Sequence, residues 1–256
     1  MLREPSLSPQ FRQVFLRLKQ SAGYASGFMA TSLMSRLTSN TSFNQKLTER
    51  SCRYQSLCTF VMTKESILWR ALYWQGHEAC SLRPINSEWR LEGTAVFLHE
   101  GRTCRLSYSI DCDAIWHTRS AVVSGWFGDE DIDLELSADA YRRWQVNGVA
   151  KSVVDGCIDL DLNFSPATNL LPIRRLNLEV GQQMEVKAAW LRFPSFELEP
   201  LSQVYERTGE FKYRYSSRGG FVAELTVNKA GFVTVYPQLW EAEGSEWMSA
   251  AIPLGS

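Results

Sequence analysis

Beyond residue 62, apolar residues recur at every second position rather than every third or fourth. Cys104, Leu106, Tyr108 and Ile110 alternate with Thr103, Arg105, Ser107 and Ser109. The same alternation runs through Ile132–Leu136, Ile158–Leu162, Phe211–Tyr215 and Phe221–Val227. A period of two predicts strands with one buried and one wetter face. Turn signals punctuate these runs. Asn147-Gly148 predicts a two-residue hairpin between "YRRWQV" and "VAKSVV". Asn228–Gly231 predicts a longer hairpin loop, and Glu100-Gly101 and Gly128-Asp129 two further turns. Strands without intervening helices predict a mainly β fold, an antiparallel meander rather than βαβ units.

One segment departs from the pattern. "NFSPATNLLPIRRLNLEVG" carries two prolines and no clear alternation. Ser165-Pro166 can start a short helix, and Pro172 can begin a second helical turn through Leu176, so one or two short helices are expected around 165–176. A sheet of about ten strands must curl, close or be covered. A helix or aromatic plug against the curled sheet would serve.

The chain has 256 residues and a formal net charge of −1, with 45% hydrophobic and 21% charged residues. The near-zero sum hides a split. Residues 1–61 hold eight Lys and Arg against two acids, with ten Ser and five Thr. The remainder is acidic and contains all nine Trp. Three segments are expected: a basic Ser/Thr-rich extension over 1–61, a single β-domain over 62–243 and a tail over 244–256. Within the extension, Phe11, Val14, Phe15 and Leu18 fit a short amphipathic helix. Its composition suits an organelle transit peptide, a disordered tail, or sequence upstream of a start at Met62. The expected location is cytoplasmic, or an organelle if 1–61 is a transit peptide. No stretch approaches the roughly 20 apolar residues of a membrane helix. The six Cys show no C-x-x-C spacing and read as reduced core thiols. No Gly-rich phosphate loop is present, an acidic domain disfavours nucleic acid, and no cofactor or metal is expected.

Asp155, Asp159 and Asp161 precede Arg174 and Arg175. On a strand, Asp159 and Asp161 point to one side about 7 Å apart. With the two arginines they could form a bidentate network. Three readings follow: a structural ion-pair cluster, a polar lip for a sugar or phosphate headgroup, or a general acid/base pair of a hydrolase. Trp116, Arg119, Trp126 and Trp144 place aromatics near charge, which serves sugar stacking or ordinary core packing. Tyr236-Pro237 and Trp240 could line one end of a cavity, and the proline suggests that this strand leaves the sheet or sits at its edge.

"DGCIDLDLNFSPATNLLPIRRL" (155–176) resembles the signature of the putative glycolipid-binding family, formerly a domain of unknown function. "IWHTRSAVV", "DAYRRWQVNG", "LSQVYER" and "GFVTVYPQLW" are similar to further blocks of it, in order, over about residues 65–243. The resemblance implies a spiral β-roll or half-barrel related to bacterial lipoprotein and glycolipid carriers, wrapping an apolar concavity. It implies no established enzyme activity. The expected function is non-enzymatic binding of an amphipathic lipid or glycolipid. The candidate contacts are Trp116, Arg119, Trp144, Asp155, Asp159, Asp161, Asn169, Arg174, Arg175, Tyr236 and Trp240. The alternatives are the Asp159/Asp161 hydrolase and an interaction module with a filled cavity.

Overall fold

A computed structural model describes residues 64–244. The expected N-terminal helix, the extension over 1–61 and the tail from 245 lie outside the described residues. Fifteen strands form one curved open sheet. They are β1 (Glu65–Ala71), β2 (Gln75–Ile85), β3 (Glu88–His99), β4 (Arg102–Cys112), β5 (Thr118–Phe127), β6 (Glu130–Ala138), β7 (Trp144–Val146) and β8 (Val149–Ala150). After a turn of 3₁₀ helix at Ser152–Val154 come β9 (Asp159–Leu162) and the single α-helix, α1 (Leu170–Leu176). The chain finishes with β10 (Gln183–Arg192), β11 (Glu197–Gly209), β12 (Lys212–Ser217), β13 (Phe221–Val227), β14 (Val233–Tyr236) and β15 (Trp240–Ala242).

The order across the sheet is β8-β7-β6-β5-β4-β3-β2-β1-β15-β14-β13-β12-β11-β10-β9. The first and last strands therefore pair with each other in mid-sheet, with Trp69 opposite Ala242 and Ala71 opposite Trp240. The two edges, β8 and β9, are consecutive in the chain. All neighbours are antiparallel except β9 and β10, which are parallel. A parallel pair needs a crossover rather than a hairpin. Residues 163–182 supply it, which is why the helix falls there. A 3₁₀ turn (Ala167–Asn169) leads directly into α1, so Pro172 sits in the first turn of α1, where its missing N–H costs no bond. Ser165 Oγ accepts the Ala167 N–H at the start of this segment. Asn177 in the left-handed region (φ 43°) ends the helix.

The hairpins form at the expected dipeptides. Asn147 (φ 49°) and Gly148 (φ 74°) both adopt positive φ, as the β7–β8 turn requires. Its strands are much shorter than the flanking sequence suggests, because Asp139 caps a turn through Arg143 on one side and the 3₁₀ turn begins on the other. Tyr236-Pro237 departs from expectation in one respect. β14 is interior to the sheet, and Pro237 lies in the turn to β15, closed by the Leu239 N–H on Tyr236 O at 2.9 Å.

A sheet this wide cannot stay flat. It curls until β9 meets the start of β5. The Thr118 N–H donates to Ile158 O, and Thr118 Oγ1 accepts the Leu160 N–H. The Arg142 guanidinium donates to the carbonyls of Thr118, Cys157 and Ile158. Edge β9 is thereby satisfied without a second strand partner. This also corrects one sequence expectation. Alternation puts Asp159 on the wetter face of its strand, yet it is 1% exposed, because α1 and β5 cover β9.

The crossover segment fills the inner side of the sheet. Phe164, Ala167, Leu170 and Leu171 are fully buried in one core with Leu91, Leu106, Ile110 and Val123. Gly93 makes room for this packing: a Cβ there would collide with the Tyr108 hydroxyl. Gly93→Val is therefore expected to destabilise the domain by about 2 kcal/mol, at the scale of overpacked cores. Urea denaturation reads this directly, and an unchanged midpoint would show that Tyr108 swings away freely. Cys80, Cys104, Cys112 and Cys157 are buried free thiols within the same core.

Candidate functional site

The inner side of the sheet differs in chemistry from end to end. β3 spans it, with Trp89 near one end and Phe97 near the other, eight residues or about 27 Å apart. Around Phe97 the lining is aromatic. Trp74 stacks on Phe97 at 4.5 Å between centroids, and Phe193 meets Trp74, Phe97, His99 and Phe127 edge-on. Trp240, expected at a cavity end, joins this cluster through Trp74. Burial pushes the His99 imidazole pKa down, so it stays neutral at ordinary pH.

Around Trp89 the lining is charged and polar. The 113–117 loop folds over Asp113, whose carboxylate accepts the Ile115 and His117 N–H groups. The turn holds Trp116 at positive φ (72°) and lays its ring on Trp89, 4.3 Å between centroids and 18° from parallel. Trp116 is buried and Trp89 half-buried. The last turn of α1 brings two arginines to this end. Arg175 donates to Asp159 from Nε and Nη2, at 3.0 and 2.5 Å. Arg174 lies over the indoles instead, 5.0 Å from Trp116 and 6.0 Å from Trp89. Arg119, the other arginine candidate, is exposed and pairs with Glu88.

The four charges of the expected Asp/Arg network are thus separated. Only Asp159 and Arg175 pair. Asp161 instead accepts from Gln203 Nε2 at 2.5 Å, among Tyr205, Tyr215 and Tyr236. Burial, reinforced by the nearby Asp159 charge, pushes Asp161 up to about 6. Asp159 is pushed up by burial and pulled back by Arg175. Both Asp159 oxygens are engaged and the side chain is closed to solvent, so the paired-carboxylate arrangement gives hydrolysis no support.

The remaining candidates hold the scaffold together. Asp155 accepts the Trp144 N–H, and the buried Trp144 indole donates to Cys157 O. Asn169 accepts from Tyr205 Oη and ties α1's approach to β11. Tyr236 packs against Tyr215 and Phe221.

Two important residues escape a reading of the sequence alone. Trp89 completes the indole stack, and its alternation with Leu91 and Ala95 in β3 is the available signal. Glu78, fully buried in β2, accepts from Tyr108 Oη and Ser165 Oγ, each at 2.5 Å, and fastens the crossover segment to the sheet. Its other oxygen, Oε2, makes no hydrogen bond among the described residues. Burial pushes Glu78 up to about 8 against the opposing effect of those hydroxyls. Its position in phase with Cys80 and Leu82 in β2 is the available signal. Among the described residues no group of His, Cys, Asp and Glu is arranged to hold a metal, and no helix is long and apolar enough to cross a membrane.

A family model described as "Putative glycolipid-binding" matches residues 66–242. No curated protein matches the chain. A solved structure, a DUF1089 family protein from Pseudomonas aeruginosa, is similar at 29% identity with a TM-score of 0.58. The match covers 75% of this chain and 99% of that one.

Proposed function

We infer that this protein, which belongs to the putative glycolipid-binding family, binds an amphipathic lipid-like small molecule without chemically transforming it. The observation that carries this reading is the polarity gradient along β3 to β5. An aromatic lining at the Phe97 end suits an acyl chain, and charged and indole groups at the Trp89 end suit a polar head.

The crossover segment occupies the space that such a ligand would take. Besides its buried apolar side chains, three polar ties fasten it to the sheet: Ser165 to Glu78, Asn169 to Tyr205 and Arg175 to Asp159. On this reading the segment is a plug that an acyl chain displaces, and the buried apolar side chains of the plug are exchanged for the ligand's.

Native mass spectrometry on the full chain, after incubation with a total lipid extract, tests the reading. The expected result is a stoichiometric adduct of lipid mass that is lost on organic extraction. A spectrum holding only unliganded protein across neutral, anionic and glycosylated lipids would overturn it.

A further inference from the structure

Among the described residues, Arg174 is unusual: a half-buried guanidinium with no hydrogen bond and no ion pair. Its neighbour Arg175 takes the available carboxylate. Arg174 instead rests between the indoles and the backbone of Gly231, where an added Cβ would come within 3.1 Å of Arg174 Cδ. Burial alone disfavours its charge, and no nearby acid offsets this. A guanidinium cannot shed its proton to escape that cost. Cation–π contact with Trp116 recovers only part of it. The natural remedy is an anion, which a planar five-donor fork recognises with high specificity.

The second half of the corner is the indole pair. Trp116 is buried and stacks on Trp89, which is itself only half-buried. Stacked indoles offer a rigid apolar plate, the type of surface on which a sugar ring rests. Positive charge and plate lie within 6.0 Å of each other, close enough to be reached by one substituted saccharide.

We propose that the Trp89–Trp116–Arg174 corner is a binding site for an anionic saccharide, with the sugar face on Trp89 and a phosphate, sulfate or carboxylate substituent on Arg174. This deepens the reading above by naming the polar head, and it rests on that reading only for the claim that the saccharide is attached to a lipid. Glu88, next to Trp89 in the sequence, is held by the exposed Arg119. Its carboxylate is already engaged and does not compete for Arg174.

Tryptophan fluorescence and calorimetric titrations of the full chain test the site with water-soluble probes. Glucose 6-phosphate is expected to bind at least tenfold more tightly than glucose or inorganic phosphate. Arg174→Gln should reduce its affinity to that of glucose, and Arg174→Lys should recover part of the loss. Trp89→Ala should weaken it about tenfold. A structural arginine and a binding arginine differ in a second readout. Arg174→Gln should leave the melting temperature unchanged or raise it, because an unpaired half-buried charge is removed. Equal affinity for glucose and glucose 6-phosphate would overturn the proposal. So would equal affinity for inorganic phosphate, which would mean a simple ion site. A melting temperature that falls with Arg174→Gln while binding persists would make the residue structural. A lipid adduct in the mass spectrum without saccharide binding would defeat this corner and leave the broader function standing.

Discussion

Asp159→Ala is expected to destabilise the domain by about 3–5 kcal/mol, the range for removing one partner of a buried ion pair. The reason lies in what is left behind. Asp159 and Arg175 are 1% and 13% exposed, so the orphaned guanidinium cannot be fully rehydrated where it stands. The pair also joins α1 to β9, the edge that the crossover segment covers. Replacing both residues by apolar ones of similar size, as in Asp159→Leu with Arg175→Met, should cost less than the single change, because neither charge then remains. Glu92→Ala provides the contrast. It breaks the Arg83–Glu92 pair on the partly exposed face of β2 and β3 and should cost no more than about 1 kcal/mol. Urea denaturation at pH 7 compares the three. Equal midpoints for Asp159→Ala and Glu92→Ala would show that the buried pair contributes no more than a surface one.

Stability should also fall as pH rises from about 4.5 to 8, and Glu78 is the cause. Its carboxyl is raised to about 8 from an ordinary 4.5, by burial first. In that window the folded protein holds a proton on Glu78 that the unfolded chain has released. Linkage then requires stability to decline with pH until the folded pKa is passed. The contribution is fully present below about 4.5 and lost above about 8. Its size is on the order of a few kcal/mol, since a tenfold difference in acidity between folded and unfolded chains is worth about 1.4 kcal/mol. Asp161, raised to about 6, adds a smaller decline of the same sign between about 4 and 6. Glu78→Gln mimics the protonated acid and should flatten most of the slope, so that the variant is more stable than the parent at pH 8. Denaturant titrations at half-unit pH intervals measure this. A parent protein whose stability is flat from pH 5 to 8 would place Glu78 in a wetter environment than its geometry implies.

The two predictions bear on function through the same element. Glu78 and Asp159 hold opposite ends of the crossover segment, through Ser165 and Arg175. Weakening either should loosen the segment from the inner face. The Glu78 attachment is also pH-sensitive, because deprotonation puts a charge into an apolar interior with one oxygen already unpartnered.

Much of the architecture is legible from alternation alone. The period-two runs at 104–110, 212–215 and 221–227 are strands whose in-phase residues, such as Leu106, Tyr213 and Leu225, are buried. Asn147, Gly148 and Gly101 adopt the positive φ that their turns need, a requirement written in residue type. The helix near 165–176 is legible from prolines and lost alternation. Alternation fails at 157–162, where apolar and acidic residues alternate as on a half-wet strand but both faces are covered. A carboxylate's burial depends on whether a distant guanidinium comes to meet it, and no local pattern records that.

Alternation and turn dipeptides marked several strands and hairpins, though fewer than the fifteen strands found, and ordered sequence blocks marked the family, because these follow from local conformational preference and residue order. Three-dimensional packing selects the pairing of β1 with β15, the parallel run of β9 beside β10, and the choice of Arg175 by Asp159 that leaves Arg174 over the indoles. A period of two says which side of a strand is buried and nothing about its neighbour. Neighbours are selected when the whole sheet curls, where burial and charge pairing across 16 to 171 residues outweigh the entropy of bringing the partners together.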